Sequence, residues 1–161
     1  MKEISSDSNW LPMSFREKSA WASLLAMLVA FVPYFVQIGR SLAQGPLQTA
    51  TVLGALVGAI MLQIALAVIM HVVIALRTKE ERKDERDLVI AAKSYKHAYV
   101  AAAFSIMLLI GWLLWDAFVG DARASARLLT PLAVSQLLFA CFVLAEATRY
   151  ATQAICYRRG S

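Results

Sequence analysis

The residues best suited to chemistry in this 161-residue chain are its only two histidines, His71 and His97, together with Glu146. Imidazole nitrogens and a carboxylate are metal ligands, and two histidines could supply both axial nitrogens of a haem. Membrane bundles that hold two haems usually carry two histidine pairs at opposite depths, and this sequence has one pair. We therefore expect structural pairing, such as Glu146 with Arg149, and predict neither a metal site nor a cofactor. His71, His97 and Glu146 remain the candidate ligands.

Acidic pairs and thiols could also carry catalysis, but their positions argue against it. Asp116 and Asp121 could share a proton as paired catalytic aspartates, yet both lie on one segment, where helix-end polarity and loop solubility explain them. Cys141 and Cys156 are too far apart for a Cys-x-x-Cys site or a disulfide framework. We predict no catalytic residue and a protein that is not an enzyme.

Helices that span a membrane must position these residues. The chain is 60% hydrophobic and only 17% charged, whereas soluble domains are about 45–50% apolar and about 25% charged. Four runs without Asp, Glu, Lys or Arg are long enough to cross a hydrocarbon core of about 30 Å as helices. The sequence therefore predicts a single all-α domain over residues 1–161, an integral membrane bundle of four transmembrane helices. The predicted spans are about 19–39, 49–76, 98–118 and 128–150.

The basic residues are sorted to one side of these spans. Of the 16 Lys and Arg residues, 13 lie in the N-terminal segment, the middle loop 77–97 or the C-terminal segment. Because cytoplasmic segments carry the excess of Lys and Arg in membrane proteins, this distribution predicts that both termini are cytoplasmic. It also accounts for the net charge of +5 without a nucleic-acid partner.

The middle loop 77–97 is the main candidate for contact with a partner. Its first eleven residues include ten charged ones, in which acidic and basic groups nearly cancel. A solvated helix extension that begins near Lys79, after a capping box at Thr78 and Glu81, explains these charges without a partner. The alternative is a docking surface for a cytoplasmic or membrane protein or for anionic lipid headgroups. Its residues would be Glu81, Lys83, Asp84, Glu85, Arg86 and Asp87.

Gly54 and Gly58 form a small-x-x-x-small motif in the second span. Such a motif lets two helix backbones approach closely in a membrane. We expect the two glycines to pack against another helix of the same chain. The alternative is a homo-oligomer in which the second helices of two copies pair.

Transport is a further hypothesis. Small multidrug transporters also have four helices and use a membrane-embedded glutamate in the first span, but here that span contains no charged residue. Polar side chains in mid-span, which more often join helices by hydrogen bonds, are limited to Gln63, Ser105, Ser135 and Gln136.

Around the middle loop the sequence resembles a group of small bacterial inner-membrane proteins with four spans, a domain of unknown function. The shared features are the run Asp84-Glu85-Arg86-Asp87, an apolar residue near Ile90, and the opening segment 14–21. The resemblance implies the fold and a place in a bacterial inner membrane. We expect a non-enzymatic accessory or regulatory protein that acts through its charged loop. A small transporter or ion-conducting oligomer comes second, and metal or haem binding by the two histidines third.

Overall fold

The part of the chain that the structure describes forms four long α-helices. The computed structural model describes residues 14–77, 84–119 and 130–159. The helices are α1 (Phe15–Gln44), α2 (Thr49–Arg77), α3 (Glu85–Val119) and α4 (Pro131–Arg159). Each is long and apolar enough to cross a membrane. The prediction of an all-α chain with four helices of membrane-spanning length is confirmed.

Side-chain caps fix where α1 and α4 begin. Ser14 Oγ accepts a hydrogen bond from the backbone N–H of Glu17 at 3.2 Å, and Thr130 Oγ1 accepts one from Ala133 N–H at 3.2 Å. Each bond satisfies one of the first N–H groups of a helix, which have no partner within the helix itself. The sequence predicts both starts, because Ser14 followed three residues later by Glu17 is a capping box, and Thr130 is followed by Pro131, which suits the first turn of a helix.

The start of α3 differs from the prediction. Asp84 is not helical and α3 begins at Glu85, so the expected start near Lys79 is wrong; the predicted cap at 78–81 lies outside the described residues. Asp84 Oδ1 accepts from Glu85 N–H at 2.7 Å, and Asp87 Oδ2 accepts from Asp84 N–H at 2.8 Å. Two acidic side chains at the helix start therefore satisfy its first amides, and most of the predicted loop, residues 85–97, is helix.

The two inner helices of the bundle are α1 and α4, and α1 has the most buried residues. Helix α1 packs against α2 and α4, and α4 also packs against α3. Small residues on α1 let the neighbouring backbones approach, whereas α2 and α3 turn large apolar side chains outward, as lipid-facing helices do. The buried small residues of α1 are Ala20, Ala22, Ala26 and Ala30.

An aromatic cluster joins α1 to α4 at the core. The rings of Phe31 and Phe139 meet edge to face with their centroids 5.4 Å apart, and Tyr34 and Phe35 pack against the same ring of Phe139. The Tyr34 hydroxyl donates a hydrogen bond to Gln136 Oε1, and both residues are buried. The expectation that a mid-span glutamine joins two helices is confirmed at this contact.

Candidate functional site

One end of the bundle carries a network of charged and polar side chains, and we call it the polar end. Here α1 and α3 begin and α2 and α4 end. Arg16 Nε on α1 lies 3.2 Å from Asp87 Oδ2 on α3. Arg158 Nη1 on α4 lies 3.5 Å from Glu17 Oε1 on α1. Two consecutive residues of the first turn of α1 therefore hold the ends of two other helices.

Asp87 is the centre of this network. Its Oδ2 atom faces Arg16 and accepts the capping bond from Asp84, and its Oδ1 atom accepts from the Tyr157 hydroxyl at 3.1 Å. Only 13% of the Asp87 side chain is exposed. Sequence reasoning did not identify Arg16 or Tyr157, because no local pattern indicates which distant residues meet a given carboxylate. Asp87 thus fixes α3 to both α1 and α4.

A second polar contact lies one turn deeper between α3 and α4. Gln153 Nε2 donates to Ser94 Oγ at 3.2 Å, and Ser94 Oγ donates to the Ala91 carbonyl at 2.7 Å. Ser94 is completely buried. Gln153 and Asp87 also line a cavity of about 330 Å³ between α1, α3 and α4. The polar end is therefore tightly joined near its rim but leaves a small polar cavity.

The residues of the predicted docking surface divide into three sets. Asp84, Glu85 and Arg86 are exposed, whereas Asp87 is turned inward. Residues 81 and 83, the remaining two of that surface, lie outside the described residues. The exposed part of the surface is therefore a short acidic and basic patch at the first turn of α3.

The candidate ligands His71, His97 and Glu146 lie in different surroundings. His71 Nδ1 donates to the Ala67 carbonyl at 2.7 Å; in the neutral imidazole Nε2 is then the acceptor for the Ser19 hydroxyl at 2.9 Å. His97 is exposed on α3. Within residues 14–77, 84–119 and 130–159, no three His, Cys, Asp or Glu side chains are grouped so that they could hold a metal ion. His71 therefore joins α2 to α1.

Glu146 pairs with Arg149, as the sequence predicts. Glu146 Oε2 accepts from Arg149 Nε at 3.0 Å and from Nη2 at 2.6 Å. The guanidinium lies over the Tyr150 ring, 4.3 Å from its centroid, and Nη1 donates to the Tyr95 hydroxyl at 3.3 Å. Arg149 therefore contacts Glu146 through its charge and its N–H donors, and Tyr150 through the flat face of its guanidinium. Neither of its hydrogen bonds to Glu146 uses Oε1 of that carboxylate.

A second cavity, of about 360 Å³, lies between α2 and α4 above α1, and we call it the lateral cavity. Met27 and Phe31 of α1 are buried at its floor. Its polar lining comes from Gln63 and Glu146, with the hydroxyl-bearing Tyr150 beside them. Its other lining residues are Ile60, Ile64, Phe139, Phe142 and Val143.

Gly54 and Gly58 do not pack inside the bundle as expected. Both are exposed, and a Cβ atom placed on either would lie more than 4 Å from every described atom outside the backbone of its own helix. The reason is geometric: α2 meets α1 through Val52 and Ala59, which are buried. With 3.6 residues per turn, Gly54 and Gly58 fall on the opposite side of α2. Among the described residues, the prediction of packing within the chain is therefore not met at these glycines.

No protein-family model, no curated protein and no solved structure matches this chain.

Proposed function

We propose that the chain is a multi-pass protein of a bacterial inner membrane, with both termini cytoplasmic, and that it is a non-enzymatic accessory or regulatory protein. In this proposal a protein partner binds the exposed first turn of α3. The supporting observation is the double use of Asp87, which caps α3 and also bonds to Arg16 and Tyr157. This anchor fixes the backbone that carries the exposed Glu85 and Arg86.

A fixed pair of opposite charges suits recognition better than a loose charged loop. Ordering a flexible segment upon binding costs free energy, and a preorganised segment avoids that cost. Adjacent negative and positive groups also favour a partner with the complementary arrangement and disfavour one with like charges opposite them. Glu85 and Arg86 stand side by side on the anchored turn, so both conditions are met there. The excess of basic residues on the same side supports a cytoplasmic partner.

Site-specific photo-crosslinking in intact cells tests this proposal. A benzophenone amino acid replaces Val89, which is 64% exposed one turn after Glu85, and in a matched control it replaces Phe118, which is 87% exposed near the far end of α3. We expect a discrete adduct at position 89, identified by mass spectrometry, and no such adduct at position 118. Glu85→Lys in the crosslinking background should abolish the adduct while leaving the amount of inserted protein unchanged.

Two results would refute docking at α3. One is the absence of any protein adduct at position 89 with normal insertion. The other is an adduct of unchanged yield after Glu85→Lys, because a contact that ignores charge reversal does not use this patch. A reciprocal crosslink from the partner back to residues 84–87 would add the support that capture alone does not provide.

A second function, as a small transporter or ion-conducting oligomer, is favoured by one observation. Gln63 and Glu146 line the same lateral cavity within helices of membrane-spanning length, and polar or ionisable groups in such a position, here an amide and a carboxylate, often serve transport. Liposomes containing the protein should then show a flux of protons or of a lipophilic cation that Gln63→Ala and Glu146→Ala both reduce. Equal flux in the wild type and both variants would exclude this function.

A further inference from the structure

We propose that the lateral cavity is a binding site for a membrane-dissolved amphiphile whose head group donates hydrogen bonds, a long-chain primary amine being the simplest member of the class. This inference does not depend on docking at α3. It concerns only the binding of a ligand and does not require that the ligand be transported. It rests on the shape of the cavity, on an unpartnered acceptor at Gln63, and on the unused oxygen of Glu146.

The cavity is closed below and open to the side. Met27 and Phe31 at its floor are buried, whereas Ile60, Ile64 and Phe142 along its rim are 39%, 52% and 60% exposed. On helices that span a membrane, an exposed apolar rim faces lipid, so a ligand would enter from the bilayer. A volume of about 360 Å³ is within the range of pockets that hold small molecules, and such pockets are mostly apolar with a few placed polar groups.

The polar groups that line the lateral cavity favour a ligand with a hydrogen-bond donor. Gln63 Oε1 is inaccessible to solvent and has no hydrogen-bond partner among the described residues. An acceptor left without a donor in an apolar setting costs free energy, which a bound N–H or O–H group would recover. Both hydrogen bonds that Arg149 donates to Glu146 go to Oε2, so the pair leaves Oε1 of that carboxylate available to a second donor. Two acceptors therefore line one apolar cavity.

This chemistry disfavours other occupants. A plain acyl chain would fill the apolar part but leave Gln63 without a donor. A transmembrane helix of another protein satisfies its own backbone N–H groups internally, so it offers Gln63 only an occasional side chain. A protonated amine on an alkyl chain offers three donors and an apolar tail. The Glu146–Arg149 pair is neutral overall, so the donor, rather than the charge of the head group alone, should decide the affinity.

Two probes that differ only in their donors test the proposal. Dodecylamine and dodecyltrimethylammonium have the same chain and the same positive charge, but only the first carries N–H groups. Native mass spectrometry of the full chain from detergent micelles counts bound molecules and gives their affinities. We expect one saturable dodecylamine per chain and at least roughly tenfold weaker binding of dodecyltrimethylammonium.

Variants of the lining separate this site from general partitioning into the micelle. Gln63→Leu should weaken dodecylamine binding roughly two- to tenfold, the loss of one hydrogen bond, and leave dodecyltrimethylammonium unchanged. Ile64→Trp should block both probes, and because Ile64 is half exposed the substitution should be tolerated. The matched control is Leu108→Phe, on the exposed face of α3, which should bind both probes as the wild type does.

Equal affinity for the two probes would overturn the proposal, as would dodecylamine binding that survives both Gln63→Leu and Ile64→Trp. Phospholipid that co-purifies with the wild type and is lost on Ile64→Trp, together with no dodecylamine binding, would show an acyl-chain groove and also overturn it. Helix content from circular dichroism establishes that each variant is folded. Failure of this test leaves docking at Glu85 and Arg86 unaffected, because those residues do not line the cavity.

Discussion

Arg16 of α1 and Asp87 of α3 form an ion pair across the polar end, with Arg16 Nε 3.2 Å from Asp87 Oδ2. The same carboxylate oxygen accepts the capping bond from Asp84. One atom therefore helps to set both where α3 begins and which helix lies beside that beginning. This coupling gives the run Asp84-Glu85-Arg86-Asp87 a structural meaning: its outer two residues build the turn, and its inner two are presented on it.

Loss of the Asp87 carboxylate should destabilise the protein measurably. Asp87→Ala removes the cap, the ion pair with Arg16 and the acceptor of the Tyr157 hydroxyl. Hydrogen bonds to charged groups contribute about 1.5–3 kcal/mol each, and ion pairs near the protein surface contribute less. We expect a loss of about 2–3 kcal/mol in the free energy of unfolding, measured by reversible unfolding in detergent mixtures.

Arg86→Ala is the matched control for Asp87→Ala. Arg86 is the neighbouring residue and is exposed, so its truncation should change the free energy of unfolding by less than about 0.5 kcal/mol. Equal effects of the two substitutions would show that the network around Asp87 contributes nothing to stability. The position of α3 would then have to depend on its other contacts with α4, such as the hydrogen bond between Gln153 and Ser94.

The buried bond between Tyr34 and Gln136 should stabilise the contact of α1 with α4. Tyr34→Phe removes the donor and leaves Gln136 Oε1 buried, which should cost about 1–2 kcal/mol. The double variant Tyr34→Phe with Gln136→Leu removes both polar groups and should recover most of that loss in the same unfolding measurement. The control is Tyr99→Phe on an exposed ring. A double variant less stable than Tyr34→Phe would refute this account.

The sequence predicts features that depend on residues close together in the chain, and it misses features that depend on contacts between distant residues. Charge-free runs and the cap at Ser14 are local signals, and they placed the four helices and the start of α1 well. The partners of Asp87, which are Arg16 and Tyr157, lie far from it in the sequence, so no local pattern indicates them. In a membrane protein both lipid and core are apolar, so the hydrophobic pattern does not tell which side of a helix is buried.

The difference between local and long-range signals also bears on three predictions at the candidate site, two of which were not met among the described residues and one of which was confirmed. Gly54 and Gly58 carry a packing motif, yet nothing in the pattern indicates whether its partner lies in the same chain, and the described chain supplies none. The start of α3 was misplaced because both Thr78 and Asp84 suit a cap. The pair of Glu146 with Arg149 was predicted because residues three apart on a helix are neighbours.

Enlarging Gly58 should leave the fold intact. Gly58→Leu places a side chain where, apart from its chain neighbours and the backbone of its own helix, no described atom lies within 4 Å of the Cβ position, so the free energy of unfolding should change by less than about 0.5 kcal/mol. Ala59→Leu is the matched control, because Ala59 is buried against α1 and overpacking costs about 1–3 kcal/mol. A large loss for Gly58→Leu at concentrations where the protein is monomeric would contradict this expectation.

The same variant tests whether two copies pair through this side of α2. If they do, sedimentation in detergent should show a dimer for the wild type and a monomer for Gly58→Leu, since a bulky side chain prevents close approach of two backbones. A wild-type monomer at all concentrations, or a dimer that Gly58→Leu leaves unchanged, would exclude pairing at these glycines.

Cysteine labelling tests the orientation in the membrane. In a background with Cys141→Ala and Cys156→Ala, a single cysteine replaces either Gln48, in the turn between α1 and α2, or Glu85; both positions are exposed. An impermeant maleimide applied to spheroplasts should label Gln48→Cys at once and Glu85→Cys only after the membrane is opened, because in the proposed orientation the polar end, with its excess of Lys and Arg, is cytoplasmic. The reverse pattern would place docking at Glu85 outside the cell and refute a cytoplasmic partner.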